Sequence, residues 1–140
     1  MERPLVLLLE DEDDRIARFQ SVLAKIAGDA HLIVWKIASE MISEVAPLLA
    51  RARLISLDHD LYPPDESEDW GDGVEVAKFI AGHVPCCPVI VHSSNIPRAQ
   101  WMLGDFELGG WDVRRVAPIG DDWIEVDWRL MVAKLLGNRA

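Results

Sequence analysis

Three apolar runs of strand length in this chain stop abruptly at polar residues. Leu5 to Leu9 meets Glu10-Asp11-Glu12-Asp13-Asp14, Leu54 to Leu57 meets Asp58-His59-Asp60, and Val89 to Val91 meets His92-Ser93-Ser94-Asn95. Short runs this apolar suit strands buried on both faces of a parallel sheet. In such open α/β sheets the ligand crevice lies outside the C-terminal ends of the strands. One sheet edge therefore gathers the three polar endings into a single acidic site.

The remaining pattern supplies the helices. Ile16, Phe19, Val22, Leu23 and Ile26 recur at helical spacing, with Asp13 or Asp14 as N-cap and Gly28 at the stop. His31–Ile37 reads as a second strand, and Ser39 with Ile42, Val45 and Leu49 as a second helix that Pro47 kinks or breaks. Leu54–Asp58 is strand three, followed by a Pro- and Asp-rich loop and a helix over Val74–Ala81 that Gly82 ends. Val89–His92 is strand four, and Pro97 opens a fourth helix interrupted by Gly104. Asp112–Ala117 is strand five, and Asp121 or Asp122 caps a last helix through Trp128 and Leu135. Strand and helix alternate five times, which predicts an α/β fold: a doubly wound five-stranded parallel sheet in three α/β/α layers.

Residues 1–140 read as one domain, because the length supports one ordinary core and no linker or repeat divides it. No apolar run approaches the roughly 20 residues of a membrane span, and no signal-type leader is visible, so the expectation is a cytoplasmic location with no membrane partner. The only cysteines, Cys86 and Cys87, are adjacent and read as reduced thiols. A formal charge of −10 argues against binding a nucleic-acid duplex, which needs clustered Lys and Arg. Carboxylates held about 4 Å apart near a surface repel by roughly 4 kcal/mol, so the crowded strand-end acids call for a cation or a shared proton.

Glu10-Asp11-Glu12 after strand one, Asp58 ending strand three, Asp72-Gly73-Val74-Glu75 opening helix three, Pro88 to Ser93 and Pro118 together resemble response-regulator receiver domains over essentially the whole chain. The resemblance implies a receiver-like, flavodoxin-like architecture. It also implies Mg²⁺ binding by Glu10 and Asp11, phosphoryl acceptance at Asp58, a phosphate contact from Ser93 and a lysine before Pro118. That lysine position holds Ala117. Ile55 to Leu61 followed by Val91 to Asn95 and the later Met102 more specifically resembles the cyclic-phosphate processing receiver family, an offshoot of the receivers.

On chemistry alone, Glu10, Asp11, Asp58 and Asp60 are hard oxygen ligands suited to Mg²⁺ or Mn²⁺. Asp58, His59 and His92 are the candidate catalytic residues, the two histidines dividing protonation of a leaving oxygen from activation of a water. Ser93 and Asn95 can donate to phosphate oxygens, or cap the fourth helix. Strand alternation gives Asp58 and Asp60 one direction and His59 another, which leaves His59 open between site and loop. Trp35, Trp101 and Trp128 read as core, while Trp70 and Trp111 are free to stack on a base or pack against a partner. The function expected is metal-assisted processing of a phosphate-containing small molecule or nucleotide, cyclic phosphates included. The alternative is a degenerate receiver used for signalling or docking, with a protein partner or a homodimer. Asp58-His59-Asp60 also resembles the DxD motif of haloacid-dehalogenase phosphatases, but that motif belongs on the first strand of a larger fold.

Overall fold

Five parallel strands, β1 (Leu5–Leu9), β2 (His31–Trp35), β3 (Ala52–Leu57), β4 (Val89–Val91) and β5 (Val113–Arg115), form one sheet in the order β2-β1-β3-β4-β5. The computed structural model describes residues 3–137. Period-two alternation decides what each strand presents to either side. Leu5, Leu7, Leu9, Ile55, Leu57, Val89 and Val91 face α2 (Ala38–Glu44), α3 (Gly73–Ala81) and α4 (Ile96–Leu108). Val6, Leu8, Leu54 and Ile90 face α1 (Asp13–Ile26) and α5 (Arg129–Gly137). The expected three layers result, and the strand order reverses between β1 and β3, which opens the crevice at their C-terminal ends.

Several boundaries differ from the sequence reading. β2 stops at Trp35 rather than Ile37, and β5 covers only Val113–Arg115. Pro47 does break the second helix: α2 ends at Glu44 and a 3₁₀ segment runs over Ala46–Arg51. Glu12, not Asp13 or Asp14, is the residue preceding α1, and it makes no side-chain cap bond. Gly104 does not interrupt α4, where i→i−4 bonding on both sides carries the helix through. Ahead of α5 neither Asp121 nor Asp122 caps a helix. Ile124–Trp128 is instead a π-helical turn, in which Trp128 N–H reaches back five residues to Trp123 O at 2.8 Å. Trp101 is 53% exposed rather than core, whereas Trp111 and Trp123 are buried. No helix among the described residues is long and apolar enough to cross a membrane.

Candidate functional site

The alternation that builds the core also sorts the polar strand ends. Glu10 continues the Val6, Leu8 series, Ser56 the Leu54 series and His92 the Ile90 series, so all three point to the α1/α5 side. Glu10, Ser56 and His92 are completely buried there, and each finds a partner, as buried polar groups must. His92 Nε2 lies 3.1 Å from Glu10 Oε1, and His92 Nδ1 lies 2.7 Å from Ser56 Oγ. Trp128 Nε1–H donates to that same Oγ at 3.1 Å. An indole N–H can only donate, so Ser56 Oγ accepts from Trp128 and still has its own proton and a second lone pair with which to bond His92 Nδ1. The π-helical turn aims Trp128 at this chain.

Glu10 Oε2 accepts the backbone N–H groups of Asp11 and Glu12, both at 3.1 Å. Burial alone would raise the Glu10 carboxyl, but the hydrogen bond and charge of His92, the Glu12 N–H and Arg15 outweigh it and hold it below the usual carboxylate range. Its neighbours behave oppositely. Burial pushes Asp58 up to about 8, with the charges of Glu10 and Asp11 adding and the His59 N–H and Arg15 opposing. Burial raises Asp11 to about 6, aided by Glu10 and opposed by the Tyr62 N–H. Three carboxylates thus share a space that stabilises only part of their combined negative charge.

Asp11 and Asp58 open onto a cleft of about 110 Å³, lined also by Glu12, Arg15, Asp60, Tyr62 and Ser94. Asp58 Oδ1 accepts the His59 N–H at 2.8 Å, and Asp58 Oδ2 faces Arg15 Nη1 at 3.9 Å. Among the described residues, Glu10, Asp58 and His92 form the one group whose ligand atoms all lie within 4.8 Å of one another. The oxygen-rich set of Glu10, Asp58 and nearby Asp11 fits Mg²⁺ or Mn²⁺. His92 stands behind Glu10 and orients it.

The sequence profile of the cyclic-phosphate processing receiver domain family matches residues 5–107. The chain belongs to that family. Its fold is similar to the phosphorylated cyanobacterial phytochrome response regulator RcpA, with a TM-score of 0.73 at 19% identity over 99% of this chain and 98% of that one. It is also similar to the response regulator domain of Thermotoga maritima CheB, with a TM-score of 0.64, 16% identity and coverage of 97% and 98%. The Borrelia burgdorferi CheX-CheY-BeF3-Mg complex gives a TM-score of 0.61 at 16% identity over 94% and 89%. At these identities the likeness concerns the fold alone. No curated protein matches the sequence.

Within this receiver the anticipated site residues separate into two groups. Asp11, Asp58 and Asp60 line the cleft, with Glu10 buried beside them. His92 has no exposed surface, and both of its ring nitrogens are engaged. His59, 5% exposed, lies on the α3 side: its Nδ1 accepts the Val74 N–H at 3.3 Å, and its carbonyl accepts the Gly73 N–H at 2.9 Å. Its Nε2 comes within 3.8 Å of Asp60 Oδ1. Ser93 Oγ accepts the Asn95 N–H at 3.1 Å, and Ser93 is buried. Asn95 caps α4 by accepting the Arg98 N–H at 3.2 Å while its amide donates to Asp60 Oδ2 at 3.4 Å. Ser94, rather than Ser93 or Asn95, lines the cleft. Ser56, Trp128 and Arg15 were not anticipated. Ser56 could have been found as the one polar residue inside the apolar run Leu54–Leu57.

Proposed function

We propose that this receiver binds a divalent cation at Glu10, Asp11 and Asp58 and hydrolyses a phosphate ester, a cyclic phosphodiester above all, in the adjoining cleft. One observation carries the reading: two carboxylates, Asp11 and Asp58, reach a cleft of about 110 Å³ while a third, Glu10, is kept charged behind them by His92. At about 30 Å³ per water the volume admits an ion with one or two waters and the oxygens of a phosphoryl group that reaches in from the open side. The family to which the chain belongs is described by cyclic-phosphate processing. A bound Mg²⁺ or Mn²⁺ would offset phosphate charge and hold a water.

The net reaction adds water across one ring P–O bond. The water oxygen bonds to phosphorus, the ring oxygen leaves, and one water proton ends on that oxygen as a hydroxyl. In this reading Asp58, whose Oδ1 accepts the His59 N–H, would hold the cation and relay that proton from the water bound beside it. His59 and His92 serve by position: His59 ties α3 to the end of β3, and His92 orients Glu10.

The test is ³¹P NMR of 2′,3′- and 3′,5′-cyclic nucleotides incubated with the protein and Mn²⁺. Ring opening to a monoester by the wild type, reduced about 10²–10⁴-fold in Asp58→Asn, is expected. No turnover across the panel would contradict it. A second reading, a docking receiver without phosphotransfer, is favoured by Ala117, which removes the cation expected at the end of β5. It predicts no turnover in any variant.

A further inference from the structure

No cation from the end of β5 lines the cleft. Ala117 has none to offer, Arg114 is held by Asp112 at 2.7 Å, and Arg115 Nη2 donates to Ser93 O at 2.9 Å. Yet a phosphate brought beside Glu10, Asp11 and Asp58 meets strong repulsion, which a metal alone offsets incompletely. Among the residues lining the cleft one is basic: Arg15, in the first turn of α1.

Arg15 is held in place with its Nη donors outside hydrogen-bond reach of any carboxylate. Its guanidinium lies over the Trp123 ring, 5.3 Å from the centroid, and its Nε is 3.4 Å from Glu12 Oε2. Nη1 stands 3.9 Å from both Glu10 Oε1 and Asp58 Oδ2, beyond hydrogen-bond reach. An arginine serving only as counter-ion to buried carboxylates closes to about 2.8 Å and binds through its fork. Here the fork is parked on an indole, with 25% of its side-chain surface exposed, at the cleft wall.

We propose that Arg15 is the phosphate-binding cation of this site, supplied by α1 in place of a lysine on β5, and that it selects ligands bearing a tetrahedral phosphoryl group. A planar guanidinium matches two phosphate oxygens at once, which a lysine ammonium does not. The proposal deepens the function given above and rests on the phosphate part of it.

Inorganic phosphate and Mn²⁺ serve as probes, each titrated calorimetrically into wild type, Arg15→Ala, Arg15→Lys and Arg114→Ala, with melting temperatures recorded to establish that each variant folds. Phosphate affinity in the presence of Mn²⁺ should fall at least tenfold in Arg15→Ala and less in Arg15→Lys, and should not change in Arg114→Ala, whereas Mn²⁺ affinity should be equal or higher in Arg15→Ala. Equal phosphate affinity in wild type and Arg15→Ala, or no phosphate binding by the wild type, overturns the role of Arg15. Failure of Mn²⁺ to bind the wild type overturns the metal site instead, and the phosphate comparison made without metal still decides Arg15. Loss of Mn²⁺ and phosphate binding together in a folded Arg15→Ala would assign Arg15 to the carboxylates and also overturn the proposal.

Discussion

His92 Nε2 and Glu10 Oε1 lie 3.1 Å apart with both side chains sealed from solvent, which joins the ends of β4 and β1 into one electrostatic unit. Removing the imidazole leaves a buried carboxylate without its partner and Ser56 Oγ without one of its two. His92→Ala should therefore destabilise the protein by about 3–5 kcal/mol in urea unfolding, as for other buried charges stripped of a partner. A loss under 0.5 kcal/mol would mean that His92 is not part of this buried chain.

Asp58 gives a pH dependence of known sign. Its carboxyl rises from 3.8 to about 8 on folding, chiefly through burial and then through Glu10. The folded state thus holds a proton that the unfolded state has released, and stability from this group is full below pH 3.8 and lost as pH rises towards 8. In the metal-free protein the thermal stability of Asp58→Asn relative to wild type should increase steadily from pH 4 to pH 8, by a total on the order of a few kcal/mol. A difference independent of pH would show that Asp58 titrates normally.

Gly73 makes the closest backbone approach near the site. A Cβ there would sit 2.0 Å from Asp58 O and 2.7 Å from His59 Cα, both backbone atoms that cannot swing aside. Gly73→Ala should cost about 3 kcal/mol or more and shift Asp58 with the α3 N-terminus. The milder Asp72→Ala, which deletes the capping box with Glu75, should cost about 1 kcal/mol and leave metal binding in place. Similar losses in the two variants by urea unfolding would contradict this ranking.

The strands and their polar endings were legible because period-two burial leaves a strong mark: Val6, Leu8, Glu10 and Leu54, Ser56, Asp58 already place two acids and a serine on one side. Helix ends were less legible. Gly104 resembles a breaker, but the helix's hydrogen bonds on either side override one weak residue. Arg15 left no sequence signal, since an arginine in the first turn of an amphipathic helix reads as a solvated side chain; only the placement of Trp123, about a hundred residues later, brings it to the cleft. Trp128 needed a π-helical turn that no periodicity announces. Among the histidines, the sequence placed His92 at the crevice edge, but it could not show that Ser56 and Glu10 occupy both ring nitrogens.

A Mn²⁺ titration at pH 8, followed by the metal's electron paramagnetic resonance, tests the acidic site most directly. One saturable site is expected in the wild type, weakened at least tenfold in Asp58→Asn. At a free Mn²⁺ concentration 100 times its dissociation constant, the ion should also stabilise the fold by about 2.7 kcal/mol. Absence of saturable binding in the wild type, or equal binding in Asp58→Asn, would contradict a divalent-cation site at Glu10, Asp11 and Asp58.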